Sequence, residues 1–168
     1  MSTQDWTYFK RKIFINAPIQ NVYNAWSTSE GSEDRFLEDA AYFNGDTERG
    51  STEQAQVGDR YNFDRYHWDS IGKGDVLVAN GADRFAFTFE QMRVDIILKE
   101  EKGKTLCTLI QNEIPVDEES KMFKFYGCST GWTFFLANLK AMLDHGVNLI
   151  DKEEGLYGEH DGMEYVNN

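Results

Sequence analysis

Arg84-Phe85-Ala86-Phe87-Thr88-Phe89-Glu90 is the stretch that decides the fold. Side chains alternate along a strand, so Phe85, Phe87 and Phe89 share one face and Arg84, Ala86, Thr88 and Glu90 the other. Such a strand belongs to a sheet with one strongly apolar side. Period two continues on both flanks. Tyr61 to Trp68 and Ile71 to Ala79 precede it, and Arg93 to Glu100 and Lys104 to Ile114 follow it. The links between them, Asp69-Ser70, Asn80-Gly81-Ala82-Asp83 and Lys102-Gly103-Lys104, are turn chemistry. Links this short join antiparallel neighbours, because parallel neighbours need crossovers of about a dozen residues. Five strands therefore make a meander.

An apolar sheet face needs a cover, and the sequence supplies one beyond Pro115. From Asp117 to about His145, Phe125, Trp132, Phe135, Leu136, Leu139, Met142 and Leu143 recur at helical spacing, and Gly146 closes the run. Ahead of the meander, Thr7 to Ile15 reads as a strand. Ala17-Pro18 then opens a short helix whose apolar face is Ile19, Val22, Tyr23 and Trp26. Ser27 to Gly31 reads as a break, Ser32 as the cap of a second short helix reaching Leu37, and Ala40 to Phe43 as a brief strand. Asn44 to Asp59, with Gly45, Gly50 and Gly58, reads as a long loop, either a lid or a surface insertion. The expected fold class is α+β: a curved antiparallel sheet of six to seven strands around a long C-terminal helix, with two short helices after the first strand. Residues 1–150 are expected to form one domain and 151–168 an acidic tail, with Asp151, Glu153, Glu154, Glu159 and Asp161 in solvent.

Composition narrows the function classes. The 168 residues carry 17 basic against 29 acidic side chains, a net charge of −12. That balance repels phosphate backbones and anionic lipid, so neither nucleic acid nor a membrane is an expected partner. Twelve Phe, eight Tyr and four Trp are too many rings for a disordered acidic chain. Cys107 and Cys128 read as buried thiols in a reducing compartment, and Met1 to Asp5 lacks the features of a secretory signal. A cytoplasmic location is expected.

Signatures of catalysis are missing. The chain has no Gly-x-Ser-x-Gly elbow, no phosphate-cradling loop and no dinucleotide fingerprint. His67, His145 and His160 have no partner one helical turn away, so no metal and no cofactor are expected, and the reading leans away from an enzyme. One position stands out. On an unbroken strand Arg65 and His67 share the face of Tyr61 and Phe63, which points toward the long helix. A buried arginine is costly without an acid or a bound anion, so Arg65 would anchor a ligand carboxylate or phosphate, with His67 as a nearby donor. A bulge near Asp64 would instead flip the phase, turning Tyr66 and Trp68 inward and Arg65 to solvent.

Several short motifs add a family resemblance. Ala17-Pro18 with Val22 and Trp26, Gly58-Asp59-Arg60-Tyr61, Lys73-Gly74-Asp75-Val76, Gly103-Lys104-Thr105, and Gly127-Cys128-Ser129-Thr130-Gly131-Trp132 with Leu136 and Leu139 recur here in order. Together, over Thr7 to Leu149, they resemble the domain named after the activator of the Hsp-ninety ATPase. That domain belongs to the START-like, or SRPBCC, superfamily with the helix-grip fold. The resemblance implies a small bacterial cytoplasmic protein with a hydrophobic cavity between sheet and helix, in a superfamily that includes lipid and hormone binders, cyclases and oxygenase subunits. The expected function is to enclose a small hydrophobic or amphipathic molecule, as a monomer or homodimer. Trp26, Phe36, Phe63, Arg65, His67, Phe85, Phe87, Trp132, Phe135 and Leu136 are the candidate ligand-binding residues. Two alternatives stand beside it: a surface-mediated interaction protein or chaperone cofactor, and an enzyme of the cyclase or hydrolase kind using Arg65, His67 or Tyr126.

Overall fold

The computed structural model describes residues 4–35, 37–153 and 166. Eight antiparallel strands form one curved sheet: β1 (Phe9–Ile15), β2 (Leu37–Asn44), β3 (Thr47–Glu48), β4 (Arg60–Arg65), β5 (Gly72–Ala79), β6 (Arg84–Phe89), β7 (Met92–Glu101) and β8 (Lys104–Asn112). Their spatial order is β1-β8-β7-β6-β5-β4-β2-β3. The meander of β4 to β8 is the expected one. β1 pairs with the last strand, Phe9 opposite Gln111 and Ile15 opposite Thr105, while β2 pairs with β4 on the far side. Between β1 and β2 the chain must therefore traverse the sheet, and it does so through two short helices, α1 (Ile19–Ser27) and α2 (Ser29–Glu33). The eighth strand, two-residue β3, lies within the segment read as a loop.

The break expected at Ser27 to Gly31 and the cap expected at Ser32 both move. α2 begins at Ser29, and the Thr28 hydroxyl caps it by accepting the Gly31 N–H at 3.0 Å. Gly31 serves close packing rather than a break: a β-carbon there would meet the Asn24 carbonyl oxygen at 2.5 Å.

Register carries the apolar face across the sheet. Phe85 stands opposite Ile96, and Ile96 opposite Leu109; Phe87 stands opposite Val94, and Val94 opposite Gln111. All are buried. Over this face runs a 28-residue helical segment in three parts: α3 (Glu118–Ser120), a π-helical stretch Lys121–Gly127, and α4 (Cys128–His145). Asp117 caps its start, accepting the Ser120 N–H at 2.9 Å, which holds the Asp117 carboxyl below its usual range. Gly146, at φ 67°, ends it in the left-handed conformation that glycine adopts without strain. Trp132, Phe135, Leu136 and Leu139 point from α4 into the core.

Beyond Gly146 the chain does not simply trail over the surface, as its polarity suggests. Asn138, fully buried in α4, accepts the Leu149 N–H at 2.7 Å, and Ile150 is buried. The remaining tail, 154–168, lies outside the described residues except for Val166.

Residues 44–59 are pinned rather than loose. Ser51 accepts the Glu30 N–H at 3.0 Å, and Ala55 donates to Ser27 at 2.7 Å. At their centre Arg49 holds the buried Asp59 carboxylate through Nη2 at 2.9 Å and through Nε, and reaches Glu53 at 2.6 Å. No helix among the described residues is long and apolar enough to cross a membrane. Removing one partner of a buried pair strands the other. Arg49→Met is therefore expected to cost about 3 kcal/mol in urea unfolding. A loss below about 1 kcal/mol, the range of an exposed pair, would show that Asp59 does not depend on Arg49.

Candidate ligand-binding pocket

A pocket of about 530 Å³ lies between the sheet and the long helical segment. Its inner wall is a mesh of rings. Trp26 packs on Phe135 at 4.8 Å between centroids, Trp132 on Phe135 at 5.3 Å, and Phe89 on Trp132 at 5.3 Å, with edge-to-face or tilted planes throughout. β4 adds Tyr61 and Phe63, stacked 4.1 Å apart. Tyr61 can lie flat on the sheet only because β5 carries Gly74 beneath it. A β-carbon at Gly74 would meet the Tyr61 ring at 2.6 Å. Met122, Phe123 and Tyr126, all exposed, line the pocket from the π-helical stretch.

Polar anchors set these rings in place. The Trp132 indole N–H donates to Gln111 Oε1 at 2.7 Å, and both residues are buried. Gln111 Nε2 lies 3.2 Å from Met92 Sδ and 3.4 Å from the Lys124 carbonyl, which belongs to the π-helical stretch. The Tyr42 hydroxyl donates to the Trp26 carbonyl at 2.7 Å, and that of Tyr61 to the Thr88 carbonyl. Burial pushes both phenols further up, so they stay protonated. The Cys128 thiol, also in the lining, is raised by burial, and Cys107 is pushed up to about 12. Neither has the depressed value of a nucleophilic cysteine.

Two arginines break the apolar pattern. Arg65 lines the pocket beside Tyr61 and Phe63, so the strand phase is unbroken through β4. The irregularity lies on the neighbouring strand instead: Leu37 pairs with Arg65 and Asp39 with Asp64, which leaves Glu38 as the extra residue. The inward phase holds, and the flipped phase does not. The Arg65 guanidinium stands 4.1 Å from the Trp68 ring centroid, so Trp68 lines the pocket together with Arg65 rather than in its place. Arg35, on the turn between α2 and β2, is buried behind the wall. Its Nε donates to the Gly31 carbonyl, and its carbon Cζ lies 5.5 Å from the Trp26 ring and 5.7 Å from Phe135. Both Nη atoms and the Trp26 indole nitrogen are buried without a hydrogen-bond partner. Burial draws the Arg35 guanidinium down to about 9.

The structure brings Trp26, Phe63, Arg65, Phe87, Trp132 and Phe135 together around the pocket. Phe85 and Leu136 stand in the solid core rather than in the lining. Phe36 lies outside the described residues. His67 is a correction of placement: it sits exposed in the turn after β4 at φ 63°, with Nε2 2.7 Å from the Asp151 carbonyl oxygen. A strand that ends at Arg65 no longer imposes alternation on residue 67. Tyr126, named from the sequence as a polar group of the enzyme alternative, lines the pocket, while Met122 and Phe123, which the sequence does not single out, reach it from the π-helical stretch. Among the described residues no group of three or more metal-ligating side chains converges.

An antiparallel sheet wrapped on one long helix, with a ring-lined pocket between them, is thus the architecture of this chain. The family model described as Activator of Hsp90 ATPase homolog 1-like protein matches residues 16–144, and the chain belongs to that family. Among solved structures it is similar to a Staphylococcus saprophyticus protein, at 18% identity and a TM-score of 0.68, covering 84% of this chain and 94% of that one. The Aha1 dimer from Colwellia psychrerythraea shares 15% identity at a TM-score of 0.64, over 83% and 97% of the two chains. A Mesorhizobium loti protein matches at 16% and 0.65, over 83% and 98%. At such identities the likeness establishes the fold alone. No curated protein matches the sequence.

A buried guanidinium with two unpartnered nitrogens destabilises the fold that holds it, and the two ring contacts offset only part of that cost. Because the folded value lies below the ordinary 12.5, the deficit is complete below about pH 9 and is relieved as pH rises above it. Arg35→Met is therefore expected to raise the unfolding free energy by about 1–3 kcal/mol at pH 7. The gap to the wild type should narrow above about pH 9 in chemical denaturation. A destabilised variant would show that Arg35 is held by contacts stronger than those described.

Proposed function

We propose that this protein is a cytoplasmic binding module that encloses one small hydrophobic or amphipathic molecule in the pocket between sheet and helix. The observation that carries this reading is the ring-walled space itself. Its volume of about 530 Å³ falls within the roughly 300–1,000 Å³ of sites for drug-sized ligands. Well-packed interiors leave few voids larger than a water molecule. Here Trp132 meets Phe87 and Phe135 edge-on and still leaves a space beside them. The exposed Met122, Phe123 and Tyr126 give the entrance an apolar rim suited to an apolar guest. In this reading residues 1–150 are the binding domain, working as a monomer or a homodimer; the Colwellia protein is a dimer. The chaperone-cofactor alternative rests on the family's name.

Gly131 gives a direct test. It lines the pocket from α4, and a β-carbon there would meet nothing within 4 Å. Gly131→Phe should fold, because replacing a helical glycine removes a penalty of up to about 1 kcal/mol, and its ring should occupy the space. Native mass spectrometry of the freshly purified wild type should show an added mass that vanishes on denaturation, and Gly131→Phe should lack it. Thermal shift should agree, since a ligand bound only to the folded state raises its stability. A bare wild-type mass, with no shift from any apolar compound tried, would overturn the reading.

A further inference from the structure

The pocket's polar complement is lopsided. Of its three phenols, those of Tyr42 and Tyr61 are already committed to the backbone carbonyls of Trp26 and Thr88, that of Tyr126 lies at the exposed rim, and its thiol is neutral. Arg65 is the cation among the lining residues. Among the described residues its guanidinium has no hydrogen bond and no ion pair, only the Trp68 ring beneath it. Glu90, the one carboxylate in the lining, acts on Arg65 at longer range without making an ion pair. A guanidinium flat on an indole is held in orientation while its edge donors stay open for bidentate contact.

A second unpaired arginine, Arg35, lies behind the pocket wall against Trp26 and Phe135. Leu37 is the direct β-sheet partner of Arg65, and Arg35 lies two residues before Leu37. Both buried Nη atoms of Arg35 have no acceptor. The nearest acids are Asp34, beside Arg35 in the chain, and Glu90, and neither pairs with either arginine. In a chain of net charge −12, an unpaired cation in the pocket lining runs against the overall sign. Paired burial is the usual condition for keeping such charges.

Resting on the binding reading above, we propose that the ligand is a carboxylic acid, its carboxylate held by Arg65 at the β4 end and its apolar body against Trp26, Phe87, Trp132 and Phe135. The carboxylate supplies the acceptors that the guanidinium lacks, in the planar geometry that matches its donors. A pocket of about 530 Å³ suits one acyl chain or one ring system, not a two-chain lipid.

The test compares acids with neutral isosteres of the same body: decanoate with 1-decanol, and 2-naphthylacetate with 2-(2-naphthyl)ethanol. Trp26, Trp68 and Trp132 all line the pocket, so intrinsic tryptophan fluorescence reports binding directly. In the wild type at pH 7.5, at least one acid should bind ten or more times more tightly than its alcohol. Arg65→Met should abolish that preference while leaving alcohol affinity within about threefold, and Arg65→Lys should restore part of it. Circular dichroism and thermal unfolding confirm that each variant is folded. Alcohols that bind as tightly as the acids, or a preference that survives in Arg65→Met, would overturn the carboxylate assignment and leave the binding module standing. If neither probe of either pair binds, and the native mass is bare, the binding reading fails and the assignment with it.

Discussion

The hydrogen bond from the Trp132 indole to Gln111 is the constraint on which the rest of the pocket depends. Both groups are buried, so neither has water to fall back on, and breaking the bond would leave a donor and an acceptor unpaired at about 1–3 kcal/mol. It ties the long helix to β8 at one point and fixes the plane of the ring that touches Trp26, Phe87, Phe89 and Phe135. The hydrogen bond holds Trp132 in the orientation in which these rings leave a space beside them.

The π-helical stretch follows from the same geometry. Gln111 reaches the Lys124 carbonyl, a group inside Lys121–Gly127. π-helical turns are uncommon and often mark functional sites, and this one sets where Met122, Phe123 and Tyr126 meet the pocket. Gly74 is its counterpart on the sheet, letting the Tyr61 ring lie close so that Phe63 can stack on it. Wall, rim and floor are thus each held by a contact outside the lining.

The arginines show how charge enters an apolar site at a cost. Arg35 is buried with two unpartnered nitrogens, and Arg65 rests on Trp68 with its donors open. Such groups lower stability, and Arg65 puts a cation in the pocket lining of a chain whose net charge is −12. Stability and recognition pull in opposite directions here, as they commonly do at binding sites.

Alternation at Phe85, Phe87 and Phe89, the turn residues between strands, and the helical spacing from Phe125 to Leu143 determined the meander and its helical cover by themselves. Those patterns are local, and each residue's face follows from backbone geometry alone. The helix start at Asp117 and the Gly146 stop were legible for the same reason. What only the tertiary structure decided depended on partners distant in the chain. β1 lies beside β8, Trp132 points at Gln111, and residues 147–150 return to Asn138. The phase at Arg65 was ambiguous in sequence because the irregularity sits across the sheet at Glu38, where β4 alone carries no sign of it. Whether inward rings close on one another or stand apart around a space is likewise invisible in their order, since a lined pocket and a filled core use the same residues.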